Sequence, residues 1–166
     1  MISIQIKFMT PKAERRFMQL AIKEAIKTRQ KGDYAIGAVI VKDGKILAKA
    51  GNRIKLDIDP TQHAEIVAIR KASKLLGTRH LEGCILYTTH EPCPMCASAI
   101  IWAKMKGVVF GSNIADMYDY KVKNGNGSWS WRTIDISAKK IIEKGDPKPF
   151  VIANFMRKEC KNLFHS

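Results

Sequence analysis

Residues 84–111 read CILYTTHEPCPMCASAIIWAKMKGVVFG. An apolar run at 84–89 is followed by a helix signal from Pro94 to about Trp102, and a second apolar run occupies 107–111. Proline suits the first turn of a helix because its missing N–H would have no partner there. Two short strands joined by a helical crossover are expected to run parallel. The stretch therefore predicts a strand–helix–strand unit in a sheet that helices cover on both faces.

The residues before this unit predict two helices and a hairpin. In AIGAVIVKDGKILAKAG (35–51), two β-rich runs flank the turn residues 42–44, which is a hairpin signal. Apolar residues at helical spacing predict a helix over 62–75 and another over 10–30, with Thr10 as the N-cap of the latter. The middle of the chain is thus expected to be an α/β layered structure.

The two ends of the chain show less regular patterns. Residues 1–9 alternate apolar and polar side chains and predict an extra edge strand, an arm on a partner subunit or a loose tail. The pattern predicts the last strand at WRTIDIS (131–137), after a surface loop, KVKNGNGSWSW (121–131). A C-terminal helix is expected over 147–166. The whole chain, 1–166, is expected to form a single domain.

Composition limits the class of protein. The chain has 166 residues, of which 46% are hydrophobic, so it is globular rather than disordered. No apolar run approaches the roughly 18 residues of a spanning helix, and the N-terminus does not resemble a signal peptide. A cytoplasmic protein without a membrane partner is therefore expected. The net charge of +14 fits either RNA as a partner or a lysine-rich surface without one, and the even spread of basic residues favours the second.

Four cysteines occur, at Cys84, Cys93, Cys96 and Cys160. In a reducing compartment this number argues against a disulfide scaffold. The spacing of Cys93 and Cys96 fits half of a structural zinc site, a redox pair, or two ligands of a catalytic metal. A structural site needs a fourth ligand, but Cys84 at a strand start and Cys160 on an apolar helix stripe are expected to be core thiols.

A third candidate ligand lies upstream, in TQHAEIVAIR (61–70). His63 precedes Cys93 by 93 − 63 = 30 residues, enough for a helix, a strand and a return, so both are expected at neighbouring helix N-termini. Three ligands, His63, Cys93 and Cys96, would leave a zinc ion one position for water, as in catalytic sites. Glu65 could take a proton from that water and pass it to leaving ammonia. The order H-x-E, then P-C-x-x-C resembles zinc deaminases with one zinc per chain.

With these motifs the sequence resembles the cytidine/deoxycytidylate deaminase superfamily, in the branch of guanine deaminase, fungal-type cytosine deaminase and tRNA adenosine deaminase. The matching segments, within roughly 12–116, are IGAVIVKDG, GNR, DPTQHAEIVAIRKA, LYTTHEPCPMCASAIIWA and VVFG. The resemblance implies a three-layer α/β/α domain with a five-stranded mixed sheet, usually in dimers. It also implies a hydrolytic enzyme that replaces an exocyclic amino group of a nucleobase or nucleoside by a carbonyl and releases ammonia.

The resemblance further implies which residues contact the substrate. Asn52 matches an asparagine that contacts the base or ribose, although by itself it would pass for a turn residue after Gly51. The backbone amide of Ala64 would face the ring under attack. The backbone of Glu91 and Pro92 would lie near the leaving amino group, while the Glu91 side chain could cap a helix. Asp116 falls where guanine deaminases keep a substrate-contacting aspartate.

The substrate remains open between two classes. The segments DPTQHAE, EPCPMC and AIIWA resemble guanine deaminase, and the Lys-Thr-Gly-Ala-Ala-Gly-Ser run that follows VFG in tRNA adenosine deaminases is absent here. The segments IGAV and VVFG and the net charge of +14 favour RNA instead. We expect a guanine-type purine as the favoured substrate, with cytosine as a second possibility and adenosine in tRNA or single-stranded nucleic acid as the alternative. A third hypothesis, an inactive zinc-stabilised partner subunit, is opposed by the intact Glu65.

Aromatic residues near the C-terminus are candidates for closing the site. Terminal aromatics close the pocket in the similar families, so Phe164 is either such a residue or part of the core. Trp129 and Trp131 lie on a Gly/Ser-rich segment and could form a lid, a stacking platform for a base or dimer packing.

Overall fold

A computed structural model describes residues 12–125 and 134–165 of the chain. Five strands form one sheet: β1 Gly37–Lys42, β2 Lys45–Gly51, β3 Ile85–His90, β4 Gly107–Ser112 and β5 Phe150–Ile152. Their order in the sheet is β2-β1-β3-β4-β5. Strand β1 is antiparallel to both β2 and β3, whereas β4 is parallel to both β3 and β5. The five-stranded mixed sheet that the resemblance implied is confirmed.

Helices cover both faces of this sheet. Within the described residues they are α1 Arg15–Gln30, α2 Ala64–Leu76, α3 Pro94–Trp102, α4 Ile114–Asn124, α5 Ala138–Ile142 and α6 Arg157–Lys161. Side chains of β1 alternate between the faces, so Ala38 and Ile40 pack in the cluster that includes α2 and α3. Val39 and Val41 pack in the opposite cluster, with α1. The three-layer α/β/α fold is therefore confirmed.

The hairpin and the strand–helix–strand unit form where the sequence predicts them. Asp43 and Gly44 connect β1 to β2 with φ values of 48° and 75°. Two left-handed residues in succession are the requirement of a type I′ turn, whose twist suits a hairpin. Pro94 opens α3, which joins the parallel strands β3 and β4. Strand β2 lies at one edge of the sheet, where Lys45 and Lys49 are exposed.

The first helix begins later than predicted. Its first residue is Arg15 and its N-cap is Glu14, so residues 12–14 are not helical. Glu14 is in an extended conformation, and its N–H donates to the hydroxyl of Tyr87 at 3.2 Å. This contact with β3 fixes the chain before the helix, and local sequence gives no sign of it. The predicted N-terminal strand or arm, residues 1–9, lies outside the described residues.

The region after β4 differs most from the prediction. Residues 134–137 are irregular rather than part of a strand, and 131–133 lie outside the described residues, as do Trp129 and Trp131. Residues 121–124, predicted as loop, belong to α4. This helix starts with a capping box. The side chain of Asn113 accepts from the N–H of Asp116 at 3.0 Å, and the Asp116 carboxylate accepts from the N–H of Asn113 at 3.1 Å.

The segment 147–166 is not one helix. It contributes β5, the short helix α6 and a 3₁₀ turn at Asn162–His165. β5 pairs in parallel with β4, and Gly107 faces Phe150 in the register. The Phe150 ring lies where a Cβ at Gly107 would be. The missing side chain at Gly107 thus makes room for the fifth strand. Within the described residues, no helix combines the length and the apolar character needed to cross a membrane.

Asp116 anchors α6 to α4. Its carboxylate is fully buried and accepts two hydrogen bonds from the guanidinium of Arg157, at 2.8 and 2.9 Å. The ammonium of Lys161 lies 3.2 Å from the same carboxylate. Burial alone would raise the pKa of Asp116, but the bonds from Arg157 and from the N–H of Asn113 lower it to about 2.

We expect Asp116→Asn to destabilise the protein in a pH-dependent way. The folded-state pKa of about 2 lies below the ordinary 3.8, so the carboxylate stabilises the fold above about pH 4 and loses this effect as the pH falls towards 2. The free energy of unfolding should drop by about 2 kcal/mol at pH 7 and by about half of that near pH 3. Urea unfolding at both pH values measures the difference. Asp119→Asn, an exposed carboxylate of the same helix, is the control, and a loss independent of pH would contradict the assignment.

Candidate functional site

The three predicted zinc ligands meet at the N-termini of α2 and α3. His63 is the N-cap of α2, Cys93 is the N-cap of α3, and Cys96 lies in the first turn of α3. Their donor atoms all lie within 4.8 Å of one another, and Cys93 Sγ is 3.6 Å from His63 Nδ1. One imidazole and two thiols form a donor set that suits zinc. The predicted juxtaposition is therefore present, and these residues fit the metal.

The two other cysteines lie elsewhere. Cys84 is buried in the core cluster on the α2 and α3 side of the sheet. Cys160 is buried on the opposite side, where its side chain occupies the space of an absent Cβ at Gly111. Neither belongs to the group around His63, which is the one potential metal-binding cluster in the part of the chain that the structure describes. The arrangement favours a three-ligand site over a closed four-ligand one.

The local electrostatics prepare the site for a cation. The hydrogen bond with Cys96, assisted by His63, lowers the pKa of Cys93 to about 4 against the effect of burial. The same pairing with Cys93, together with burial, raises the pKa of Cys96. Burial lowers the pKa of His63, but the hydrogen bond with Cys93 and nearby negative charge raise it above its ordinary value. The lowered pKa of Cys93 favours its thiolate, the form of cysteine that binds a metal.

Glu65 lies beside these ligands in the first turn of α2. Its side chain is 3% exposed, and Thr88 Oγ1 donates to its Oε1 at 3.3 Å. Burial raises the pKa of Glu65, and the charge of His63 opposes this only in part. A buried carboxylate with a raised pKa is suited to exchanging protons near neutral pH.

A cavity of about 340 Å³ adjoins the cluster, and His63, Glu65 and Cys93 line it. Its volume is at the lower end of the range of small-molecule sites, about 300–1,000 Å³. Glu91 and Pro92, both predicted to contact substrate, also line it. Apolar side chains form much of the wall: Ile36, Met95, Ile114, Met117, Ile134 and Ile136. A small, largely apolar molecule with one polar end near His63, Glu65 and Cys93 would suit such a space.

The Glu91 side chain has a structural role beneath the cavity. Its Oε2 accepts from the N–H of Ile114 at 2.9 Å, and its Oε1 accepts from the N–H of Ala138 at 2.9 Å. One carboxylate therefore satisfies the first N–H groups of both α4 and α5. With both carboxylate oxygens in use, the backbone of Glu91 remains the part suited to contact a ligand.

The other predicted contacts are placed differently. Ala64 is the first residue of α2, between His63 and Glu65, and its N–H has no acceptor within the helix. Asp116 is not among the residues that line the cavity, and Arg157 and Lys161 occupy its carboxylate. The geometry gives the predicted substrate contact of Asp116 no support, so it stays a prediction.

Asn52 carries an acceptor without a partner. The residue is fully buried, and its N–H donates to the carbonyl of Ile36, a cavity residue, at 2.9 Å. Its Nδ2 donates to Asp33 Oδ1 at 2.7 Å, which fixes the orientation of the amide because a carboxylate only accepts. Asn52 Oδ1 is then the one fully enclosed side-chain N or O atom, among described residues, that lacks a hydrogen bond. Such an atom calls for an explanation, for example a bound water, an ion or a catalytic role, and Asn52 does not itself line the cavity.

Sequence reasoning did not identify Asp33 or its task. Its carboxylate also accepts from the backbone N–H groups of three further residues, and these bonds hold it in place. They come from Tyr34, Lys55 and Leu56. Hydrogen bonds to Asn52 and to these amides lower the pKa of Asp33 although burial acts in the opposite direction. An acidic residue in the loop after α1 gave no local sign of this contact with the end of β2.

His90 is a second residue that sequence reasoning missed. It is the last residue of β3, is 7% exposed and lines the cavity. Its Nδ1 lies 2.9 Å from the hydroxyl of Ser112 in β4. Phe164 contacts the ring edge to face, with centroids 5.4 Å apart, and this places the predicted pocket-closing residue beside a wall of the cavity. Burial lowers the pKa of His90 to about 4, so the ring is neutral at pH 7.

Comparisons with known proteins agree with this geometry. Residues 11–112 match the model of the cytidine and deoxycytidylate deaminase zinc-binding region. A tRNA-specific adenosine deaminase of Aquifex aeolicus is 34% identical over 136 residues, which cover 76% of this chain and 90% of that protein. Guanine deaminase of Bacillus subtilis is 55% identical over 80 residues, which cover 48% of this chain and only 51% of that protein.

A solved structure resembles the whole described fold. It comes from work on A-to-I editing by tRNA:A34 deaminases at the wobble position of transfer RNA, and it aligns with a TM-score of 0.72 at 31% identity. The alignment covers 90% of this chain and 99% of that one. The similar proteins thus belong to both classes that the sequence left open.

Proposed function

The chain belongs to the cytidine and deoxycytidylate deaminase family, and we propose that it is a zinc-dependent hydrolytic deaminase whose substrate is a guanine-type purine. The observation that carries the proposal is the meeting of His63, Cys93, Cys96 and Glu65 at one base-sized cavity. The first three residues would hold one zinc ion and the fourth would move protons. We further propose that the described elements are parts of one deaminase domain.

The metal and the residues of the chain would contribute different parts of the reaction. When bound, zinc supplies a Lewis acid that makes a hydroxide nucleophile available at neutral pH. Glu65 takes the proton from the attacking water and delivers it to the exocyclic nitrogen, so that a C–O bond forms, the C–N bond breaks and ammonia leaves. Because Glu65 is almost fully buried, bulk water does not compete for that proton.

Backbone groups around the cavity would orient the base. The N–H of Ala64 lies in the first turn of α2, where it has no acceptor within the helix, and it would donate to the ring under attack. The backbone of Glu91 and Pro92, held by the caps that the Glu91 side chain makes, would lie beside the leaving amino group. Rigid placement of this kind lowers the entropic part of the barrier.

A guanine-type substrate would also satisfy the acceptor of Asn52, which is enclosed next to the cavity residue Ile36. Asp33 fixes the amide so that Oδ1 is left to accept a hydrogen bond. A guanine-type base carries ring N–H groups that could donate to it. The adenine ring of adenosine carries none, and its amino group is the one that leaves. Matching donors to a buried acceptor is a strong source of discrimination.

An RNA substrate is the second candidate. The net charge of +14 favours it, and so does the similarity to tRNA-specific adenosine deaminase over most of the chain. In that case the chain would act on adenosine in a tRNA anticodon or another single strand. The cavity would then hold one base extruded from the strand.

We also propose a cytoplasmic homodimer. The outer side of α3 supports the dimer, because Trp102 at its end is 81% exposed and the sequence of the helix, PMCASAIIW, contains no charged residue. Exposed large apolar side chains of this kind are typical of contact surfaces between chains.

The substrate is tested by ammonia release from a panel of guanine, guanosine, cytosine, cytidine, adenine, adenosine and a tRNA anticodon stem-loop. We expect turnover of guanine or its nucleoside, with only a shallow dependence on salt, because a free base carries no phosphates. The stem-loop is the matched comparison, since bound counterions are released when RNA associates and its turnover would fall steeply with salt. Reaction of the stem-loop alone, with such a fall, would reject the guanine proposal and support the RNA candidate.

A further inference from the structure

His90 is the polar residue of the cavity wall to which the deamination chemistry gives no role. It lies at the end of β3, three positions before Cys93, and its ring borders the space that would hold the base. Its two ring nitrogens have different surroundings. Nδ1 faces Ser112, while Nε2 has no partner among the residues that the structure describes.

Ser112 determines which nitrogen of His90 carries the proton. The hydroxyl of Ser112 donates its single proton to the carbonyl of Thr89 at 3.0 Å. Towards His90, 2.9 Å away, the same oxygen can therefore only accept. Nδ1 must donate this bond, and in a neutral imidazole the other nitrogen is then an unprotonated acceptor.

The acceptor nitrogen is not completely enclosed by protein. In residues 12–125 and 134–165, Asn52 Oδ1 is the one side-chain N or O atom that is fully enclosed and lacks a partner. Nε2 of His90 also lacks one, so it is not enclosed. The open space beside this ring is the cavity, and Phe164 and β4 pack around the rest of the ring.

We propose that His90 is a specificity-determining residue whose Nε2 accepts a hydrogen bond from a ring N–H of the substrate. The inference rests on the proposed deaminase function and deepens it. A fixed acceptor increases the affinity for bases that carry ring N–H donors, such as guanine. It decreases the affinity for the adenine of adenosine, which would leave Nε2 without a hydrogen bond. Ser112 holds this acceptor in place, whereas Asn52 Oδ1, fixed by Asp33, is enclosed next to the cavity residue Ile36.

The kinetic test uses the zinc-loaded enzyme and guanine. His90→Phe keeps a ring of similar size but removes the acceptor, and we expect kcat/KM to fall by about 10–100-fold, while zinc content and melting temperature are retained. His90→Gln places an amide oxygen near the former Nε2 and should recover much of the loss. His80→Phe, at a histidine that does not line the cavity, is the control. A kcat/KM of His90→Phe within about twofold of the wild type would overturn the inference.

The tautomer is measured directly by nitrogen-15 NMR of histidine-labelled enzyme. We expect a proton on Nδ1 and none on Nε2 of His90, and a shift of the Nε2 signal when xanthine, the product of guanine deamination, is added. A protonated Nε2 overturns the inference whichever substrate the enzyme uses. If no base in the panel reacts, the guanine proposal fails, and the titration is repeated with an anticodon stem-loop that contains inosine, the product of adenosine deamination, whose ring N1–H can donate to Nε2. An Nε2 signal that neither ligand moves rejects His90 as a substrate contact.

Discussion

Replacing Glu65 by Gln is expected to lower kcat by about 10²–10⁴-fold, while one zinc per chain and the fold are retained. Glutamine has almost the same shape, so it still fills the buried position next to Thr88. It cannot accept a proton from water, and it cannot deliver one to the leaving nitrogen. Ammonia release under saturating substrate, together with metal analysis of the same sample, measures both parts of the expectation.

The matched control for this change is Glu82→Gln. Its carboxylate is 68% exposed and lies outside the cavity, so the same loss of charge should leave kcat unchanged. Near-full turnover by Glu65→Gln would show that another group moves the proton. Loss of zinc together with activity would instead mean that Glu65 acts on the metal site itself. The same experiment tests the hypothesis of an inactive, zinc-stabilised subunit. If the wild type releases ammonia and Glu65→Gln keeps zinc but does not, the protein is an enzyme.

Cys96→Ser is expected to remove most of the bound zinc and with it all measurable deamination. The thiol of Cys96 is fully buried beside Cys93, and a serine hydroxyl is a poor zinc ligand that does not ionise near neutral pH. Because metal binding stabilises the folded state, the melting temperature should fall as well. Metal content after dialysis under reducing conditions measures the first effect, and ammonia release measures the second.

The controls for Cys96→Ser are the same substitutions at the two other buried thiols, Cys84 and Cys160. Cys84→Ser and Cys160→Ser place the same hydroxyl in packed surroundings, and each should lose some stability because a polar group enters the core. Both should nevertheless keep about one zinc per chain. Loss of zinc in either variant would restore the hypothesis of a closed structural site with four ligands.

The elements that sequence predicted well are those whose signals are local. The turn at 42–44 needs two residues that tolerate positive φ, and Asp43 and Gly44 provide them. The strands at 84–89 and 107–111 are short runs rich in apolar and β-branched residues, a composition typical of buried strands. The start of α3 is marked by Pro94.

The errors came from elements that exist only through tertiary contacts. Strand β5 has three residues, too few for a recognisable alternation, and it forms because β4 offers Gly107 as a place for Phe150. The alternation of Ile134 and Ile136 suggested a strand, but both residues border the cavity. The N-terminal signal of α4 was present in Asn113 and Asp116, which form a capping box, and it could have been recognised.

The same division applies to the site. Zinc ligands and a proton-transfer carboxylate must be particular residue types at particular spacings, so the sequence could predict that His63, Glu65 and the two cysteines come together. Residues that orient others through space carry no such pattern. Asp33 reaches Asn52 across 19 positions, and His90 reaches Ser112 across 22. Only the folded chain brings these partners together.

The exposed lysines of β2 suggest a role for part of the positive net charge. An edge strand leaves backbone hydrogen-bonding groups unpaired, and such a strand invites growth of the sheet by a neighbouring molecule. Lys45 and Lys49 stand along this margin, where like charges on two approaching molecules repel each other. The same residues that raise the net charge would thus oppose aggregation through this edge of the sheet. This role of the positive charge does not require a polyanion as a partner.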